Sequence, residues 1–406
     1  MKQNIKFYPS FKLNINWTDL LLSFKNLFLN NNENTSNYFK EYIKKKYVIE
    51  VPSSRWGLVF LLKALNLENN SEIIIPAYTY FAVPSAVVRA GYIPVFVDIE
   101  KNGVNIDTNK IESAITRNTK VIIATHLCGL PCNLDKIKEI SEKYNLIIVE
   151  DCAQAFGAKY NGNFVGNFSK VSYYSFSITK NLTMLRGGII ATDDESLASK
   201  IKLETDKMLR FTRMQIFKDF LKAMIMKIAT SKIITPFTCI FFYLFSLVKI
   251  DIAKMIFKEK AILLPNSSPK YGNLNHCQKK LAERQLKNFS NSCNIKQKNG
   301  KLFYRLLQNI KHIETPHFLD NCENIFSGLP IFIKNKETAR IKLLAKGIDT
   351  STGFVQNCAD IEEFKQYISV DYPNASRAEK ELLYFISSDS IKNQDIEYIT
   401  DILKKL

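Results

Sequence analysis

Between residues 47 and 195 the chain alternates short β-rich runs with amphipathic stretches, and nothing else in it restricts the fold as strongly. Strand-like runs cover Tyr47–Val51, Glu72–Ile75, Val95–Asp98, Val121–Ala124, Leu146–Val149, Val171–Phe176 and Gly188–Thr192. Helical periodicity covers Gly57–Leu65, Asp135–Tyr144 and Glu195–Glu204. Such alternation predicts an α/β fold, a mainly parallel sheet with helices on both faces. Open sheets of that kind bind ligands at the carboxyl ends of their strands.

Two of those ends carry chemistry. Leu146-Ile147-Ile148-Val149 runs into Glu150-Asp151, so two carboxylates stand at the end of a buried strand. Burying them is costly unless a cation meets them. Lys180 follows the next strand-like run, 29 residues after Asp151, and Gly187-Gly188 come shortly beyond. An acid, a lysine and small residues in this order suit a pyridoxal phosphate site. That cofactor needs a lysine for covalent attachment and an aspartate that keeps its ring nitrogen protonated. On spacing alone, a solvated lysine beside an ordinary strand terminus explains the pattern equally well.

The wording of the stretch separates these readings. Glu150-Asp151-Cys152-Ala153-Gln154-Ala155-Phe156-Gly157-Ala158, with Ser175-Phe176 and Lys180-Asn181-Leu182-Thr183, resembles the signature of the DegT/DnrJ/StrS-type sugar aminotransferases. These belong to the aspartate-aminotransferase-like, fold type I pyridoxal phosphate enzymes. Ile73–Tyr80, Ala90–Asp98 and His126-Leu127-Cys128-Gly129-Leu130-Pro131 extend the resemblance. Leu329-Pro330-Ile331, Lys346-Gly347-Ile348 and Tyr372-Pro373-Asn374-Ala375 continue it more weakly. The resemblance implies a mainly parallel sheet flanked by helices, plus a smaller C-terminal α+β domain.

It also implies roles. Lys180 is the cofactor lysine and proton shuttle, and Asp151 the partner of the ring nitrogen. Gln154 falls near the cofactor's phenolic oxygen, Ser175 at the phosphate, and Tyr80 against the ring face. The family's Ser-Gly-Thr phosphate turn reads Ser53-Ser54-Arg55 here, so Ser54 and Arg55 are its candidate phosphate ligands. Competing readings are a surface amide for Gln154, a core ring for Tyr80 and a helix-start charge for Arg55. Glu150 and His126 read as structural. The family's cross-subunit Asn-Tyr-Arg segment reads Tyr271-Gly272-Asn273-Leu274-Asn275, so Asn273 or Asn275 is the candidate and the arginine is missing.

By the same resemblance the chain is expected to aminate a keto sugar linked to a nucleotide or lipid diphosphate, with glutamate as donor, in surface polysaccharide or glycan biosynthesis. A homodimer with shared sites is implied. Related sugar dehydratases carry His at the lysine position, so Lys180 favours transamination. The rival readings are a dehydratase, another fold type I enzyme, or a non-catalytic regulator at a membrane.

The expected organisation is an N-terminal arm at 1–34, the cofactor-binding large domain at 35–207, a basic apolar helical insertion at 208–265, and the rest of the large domain with the small domain at 266–406. The insertion carries Arg210, Arg213, Lys218, Lys222, Lys227 and Lys232 among apolar residues, then sixteen uncharged residues from Ile233 to Val248. A spanning helix needs about 20 apolar residues and tolerates Pro236 poorly. Two readings stand: helices lying in a membrane interface on the face Met214, Phe217, Leu221, Met224, Ile225 and Ile228, or a hairpin packed on the body or a dimer interface.

Net charge is +17. Acidic substrates, an anionic membrane and lysine-rich drift all account for it, and no nucleic-acid motif accompanies it. Of the eight cysteines only Cys128 and Cys132 are close, without a second ligand pair, which reads as reduced buried thiols rather than a metal site. Met1–Lys6 lacks the apolar core of a signal peptide, so a cytoplasmic location, with peripheral membrane contact through the insertion, is the expectation.

Overall fold

Seven strands form the central sheet of the computed structural model, which describes residues 6–10, 12–29, 36–247, 269–351 and 355–406. They are β1 (Tyr47–Val51), β2 (Glu72–Pro76), β3 (Ile93–Val97), β4 (Thr119–Thr125), β5 (Ile147–Asp151), β6 (Val171–Ser175) and β7 (Gly188–Thr192). Their order is β1-β7-β6-β5-β4-β2-β3. The pairs β3–β2, β2–β4, β4–β5 and β5–β6 are parallel, whereas β6–β7 and β7–β1 are antiparallel. Every residue of β6 and β7 is buried, as expected of strands covered on both faces.

Alternation along the strands divides the core in two. Ile73, Ile75, Val121 and Ile123 enter one cluster, whereas Ile74, Ile122 and Ala124 enter the other. On the first face lie α1 (Ser54–Leu65) and α2 (Glu195–Asp206), through Leu58, Leu62, Leu197 and Ile201. The second face is covered by Leu20 and Leu27 of the N-terminal segment and by Leu281 and Ala282 of a later helix.

Most strand limits shift by one or two residues from the sequence expectation, and two of the shifted ends carry buried carboxylates. The third strand stops at Val97, because the buried Asp98 carboxylate accepts the amides of Asn374 and Ala375 and the Lys110 ammonium. The fifth runs on through Asp151, where Ala124 and Thr125 pair with Glu150 and Asp151. Both carboxylates thus belong to the ladder itself. Towards the C-terminus, Ile313–Glu314, Leu329–Ile333 and Leu382–Phe385 form a separate antiparallel sheet. The last helix spans Asn393–Leu403.

In the segment that follows α2, α3 (Arg213–Ala229) starts at a capping box between Thr212 and Gln215, and α4 (Thr235–Leu247) follows. Each packs one stripe on the body. Ile216, Phe220 and Ala223 of α3 are buried, with Phe24 edge-on to Phe220 at 5.3 Å. Thr235 and Cys239 of α4 are buried, the Cys239 thiol facing the carbonyls of Tyr8 and Gly347. The face beginning at Met214 stays outside, with only Met224 half-buried. Residues 248–265 of the expected insertion lie outside the described residues. No described helix is long and apolar enough to cross a membrane.

Candidate active site

Asp151 closes β5 with a buried carboxylate, in register with Thr125 of β4 and Tyr173 of β6. Its Oδ1 accepts the Ala153 amide at 2.9 Å. Burial pushes the carboxyl group up, while Tyr173, the Ala153 amide and the Lys180 charge pull it back.

Glu150 points to the opposite face and is used differently. It accepts the amides of Gly166, Phe168 and Ser169 at 2.6, 3.0 and 2.7 Å and the Ser169 hydroxyl at 2.8 Å. His126 Nε2 lies 3.4 Å away. Burial alone would raise this carboxyl, but His126 and the amides hold it low. His126 Nδ1 accepts the Cys132 amide at 3.1 Å, which assigns the imidazole proton to Nε2, towards Glu150. His126, Glu150 and Cys152 come together in the core, and with Glu150 so fully bonded they read as a hydrogen-bonded support. Gly166 has φ +89°, and a Cβ there would stand 1.8 Å from the Tyr174 hydroxyl, so this contact admits only glycine.

Lys180 sits in the turn after β6, its amide donating to the Ser177 carbonyl at 3.0 Å, its side chain half-buried. Burial lowers the pKa of its ammonium and Arg55 lowers it further; Asp151 and Cys128 oppose. Asp151, Arg55 and Cys128 thus each lie close enough to act on the Lys180 ammonium. Gln154 Oε1 accepts the Cys128 amide at 2.9 Å, anchoring Gln154 to the turn that follows β4. Arg55 Nη2 donates to the Tyr80 hydroxyl at 3.0 Å, and the guanidinium lies 5.7 Å from the ring centroid. Tyr80 is accordingly a half-buried partner of Arg55 and not a core ring.

Ser53 caps α1, accepting the Trp56 amide at 3.4 Å, and bridges to Gly187. A Cβ on Gly188 would lie 2.5 Å from the Tyr174 carbonyl and 3.0 Å from the Ser54 nitrogen. The bare glycine backbone lets Ser54 and the start of α1 descend to the end of β6, where Ser175 is buried. Asn273 and Asn275 are engaged locally in their own chain. Asn273 Nδ2 donates to the Met208 carbonyl at 2.9 Å, and the Asn275 amide donates to Gln278 Oε1 at 2.9 Å.

Sequence reasoning missed the supports of the lysine turn. Gln285 takes the Thr183 amide at 3.1 Å and donates to the Thr183 carbonyl at 2.7 Å. Gln278 donates to the Met184 carbonyl at 3.0 Å, and Lys296 to Asn181 Oδ1 at 2.7 Å. Arg186 forks onto Asp219 of α3, tying that helix to the Gly187 turn. Their long separation in sequence left no pattern to find.

The family model for the DegT/DnrJ/EryC1/StrS aminotransferase family matches residues 27–228 and 257–404. The chain belongs to that family. An uncharacterized protein of Methanocaldococcus jannaschii is 42% identical over 165 residues, 41% of this chain and 43% of that one. GDP-perosamine synthase of Escherichia coli O157:H7 is 37% identical over 161 residues, 40% of this chain and 44% of the synthase. The matched stretch thus spans well under half the length of these relatives. The fold extends further: the structure of DesV from S. venezuelae superposes with a TM-score of 0.75 at 19% identity, over 96% of this chain and 94% of DesV.

Pyridoxal phosphate is the cofactor this membership indicates. The residues present fit it. Asp151 is a buried carboxylate that a cationic ring nitrogen would relieve, and the buried Thr125 hydroxyl in register with it has no hydrogen-bond partner among the described residues. Ser54, Arg55 and the first turn of α1 suit a phosphate dianion.

The electrostatics of Lys180 are testable without cofactor. Labelling by an amine reagent, read by peptide mass spectrometry, requires neutral lysine. Arg55→Gln removes a cation that disfavours the ammonium form, so half-labelling should move to higher pH. Asp151→Asn should move it to lower pH. A reversed order would disprove the arrangement.

Proposed function

We propose that the protein is a pyridoxal phosphate-dependent aminotransferase that converts a keto sugar on a nucleotide or lipid diphosphate into an amino sugar, with glutamate as donor, in surface polysaccharide or glycan biosynthesis. The observation that carries this reading is Lys180, half-buried in the turn after β6 and within reach of the charges of Asp151 and Arg55. The bound cofactor supplies an electron sink for negative charge at the substrate carbon. Asp151 holds the proton on the ring nitrogen. Lys180 would hold the cofactor covalently and, once freed, would move a proton to or from the substrate carbon. Its lowered pKa suits that base role. Ser54, Arg55 and Ser175 would hold the cofactor's phosphate, Tyr80 would cover its ring, and Gln154 would sit by its phenolic oxygen. A lysine at 180 where the dehydratases carry histidine favours transamination over dehydration.

The four-part division of the chain belongs to this reading; the family match breaks between 228 and 257, inside the proposed insertion, while 208–228 and 257–265 fall within the match. Borohydride reduction of the loaded protein should leave the pyridoxyl group on Lys180, and an adduct on another lysine would refute the assignment. Asp151→Asn should keep the cofactor yet lose turnover by about 100-fold or more, because an amide cannot hold the ring proton by charge.

The enzyme is further proposed to be a homodimer in which Asn273 or Asn275 completes the neighbouring phosphate site. Mixing Lys180→Ala chains with chains carrying Asn273→Ala and Asn275→Ala should restore activity if subunits exchange. Full activity in a monomer by analytical ultracentrifugation would exclude sharing.

The outer stripes of α3 and α4 support a peripheral contact with the cytoplasmic face of a membrane. Met214, Phe217, Leu221, Ile225 and Ile228 of α3 and Phe237, Phe241 and Leu244 of α4 are 41–69% exposed. Arg213, Lys218 and Lys222 stand exposed beside them. Apolar residues flanked by cations suit an anionic interface, each cation adding about 1 kcal/mol. Vesicles containing phosphatidylglycerol should bind the protein at low salt, and Lys218→Gln with Lys222→Gln should weaken binding about tenfold or more. Indifference to such vesicles would favour a protein partner for these stripes.

A further inference from the structure

The body-facing side of α3 borders a cleft of about 270 Å³ lined by none of the residues assigned above to the cofactor. Its walls are the N-terminal segment 12–16, Lys227 of α3, the chain around Asn288 and the loop 388–390, with Asn181 reaching in beside Lys180. Lys227 therefore faces inward, not towards the outer stripe. Its Nζ donates to the Ile15 carbonyl and lies 5.5 Å from the Trp17 ring centroid. Across the cleft, Lys12 Nζ donates to the Ser390 hydroxyl at 2.8 Å.

The charges do not balance. Among the described residues two carboxylates line the cleft. Asp19 is taken up by Arg284 Nε at 3.0 Å. Asp389, bonded to the Ser292 hydroxyl at 2.8 Å, is left to face Lys12, Lys227 and the buried Lys296. Burial lowers all three ammonium groups, Lys296 to about 8. Lys232 adds its repulsion to Lys12, and Lys12 to Lys227. Partly desolvated cations that repel each other across an open polar space are stabilised by an anion placed between them. Hydroxyl and amide groups on the walls, at Ser390, Asn14 and Asn288, add donors for several oxygens at once.

We propose that this cleft binds an anion of the phosphate or diphosphate class, held between Lys12 and Lys227 next to the turn that carries Lys180. The proposal stands whether or not the reaction is a transamination. Two sources share the chemistry, a soluble nucleotide diphosphate and the headgroup of an acidic lipid.

Isothermal titration of the full-length, cofactor-loaded protein with inorganic diphosphate at low salt tests it, the loaded cofactor keeping its own phosphate site occupied. Saturable binding is expected. Lys12→Gln and Lys227→Gln should each weaken it about tenfold, Lys12→Arg should retain it, and Asp389→Asn should tighten it. Thermal melting checks that each variant is folded. Displacement of the diphosphate by uridine diphosphate assigns the site to a soluble carrier; displacement by phosphatidic acid vesicles assigns it to lipid. Absence of saturable heat at millimolar diphosphate, or binding that follows Arg55→Gln while ignoring both lysines, would overturn the proposal.

Discussion

Asp151 is carried into the core by the ladder of β5 between β4 and β6, and its surroundings answer the cost of that burial. A carboxylate in such a place must be neutralised by protonation or matched by a cation. The protein supplies part of the match, through the Ala153 amide, Tyr173 and the charge of Lys180. The remainder suits a protonated ring nitrogen. Lys180 meets the complementary constraint: burial and Arg55 disfavour its charge, and Asp151 limits the shift.

Glu150 shows that burial of an acid is not by itself a functional sign. One residue away on the same strand, it faces the other side of the sheet and is satisfied by three amides and a hydroxyl. The strand's period of two separates a structural carboxylate from a chemical one. The Gly166 amide closes the structural network, at a backbone angle that only glycine adopts readily there.

Besides their apolar packing, α3 and α4 are tied to the rest of the chain by polar contacts. Arg186 joins the Gly187 turn to Asp219 of α3, and Lys227 closes on the N-terminal segment. Each helix thus has an inner stripe committed to the body and an outer stripe left exposed. The buried inner stripes agree with the reading of a hairpin packed on the body, and one helix has room for a second apolar stripe that stays exposed.

Much of the fold was legible in local pattern. The limits of β1 and β7 match their β-rich runs residue for residue, and the pairing of Asp151 with Lys180 follows from family wording. Other features depend on pairings between distant residues, which no window of sequence contains. The antiparallel β7, the end of β3 at Val97, the hold of Gln278, Gln285 and Lys296 on the lysine turn, and the inward turn of Lys227 are of that kind. The sequence by itself determined which segments form strands and helices and which residue types stand at the strand ends, since periodicity and side-chain chemistry are local. Only the tertiary structure decided which buried charges are satisfied and which are left open, because that depends on what the chain brings across from a hundred residues away.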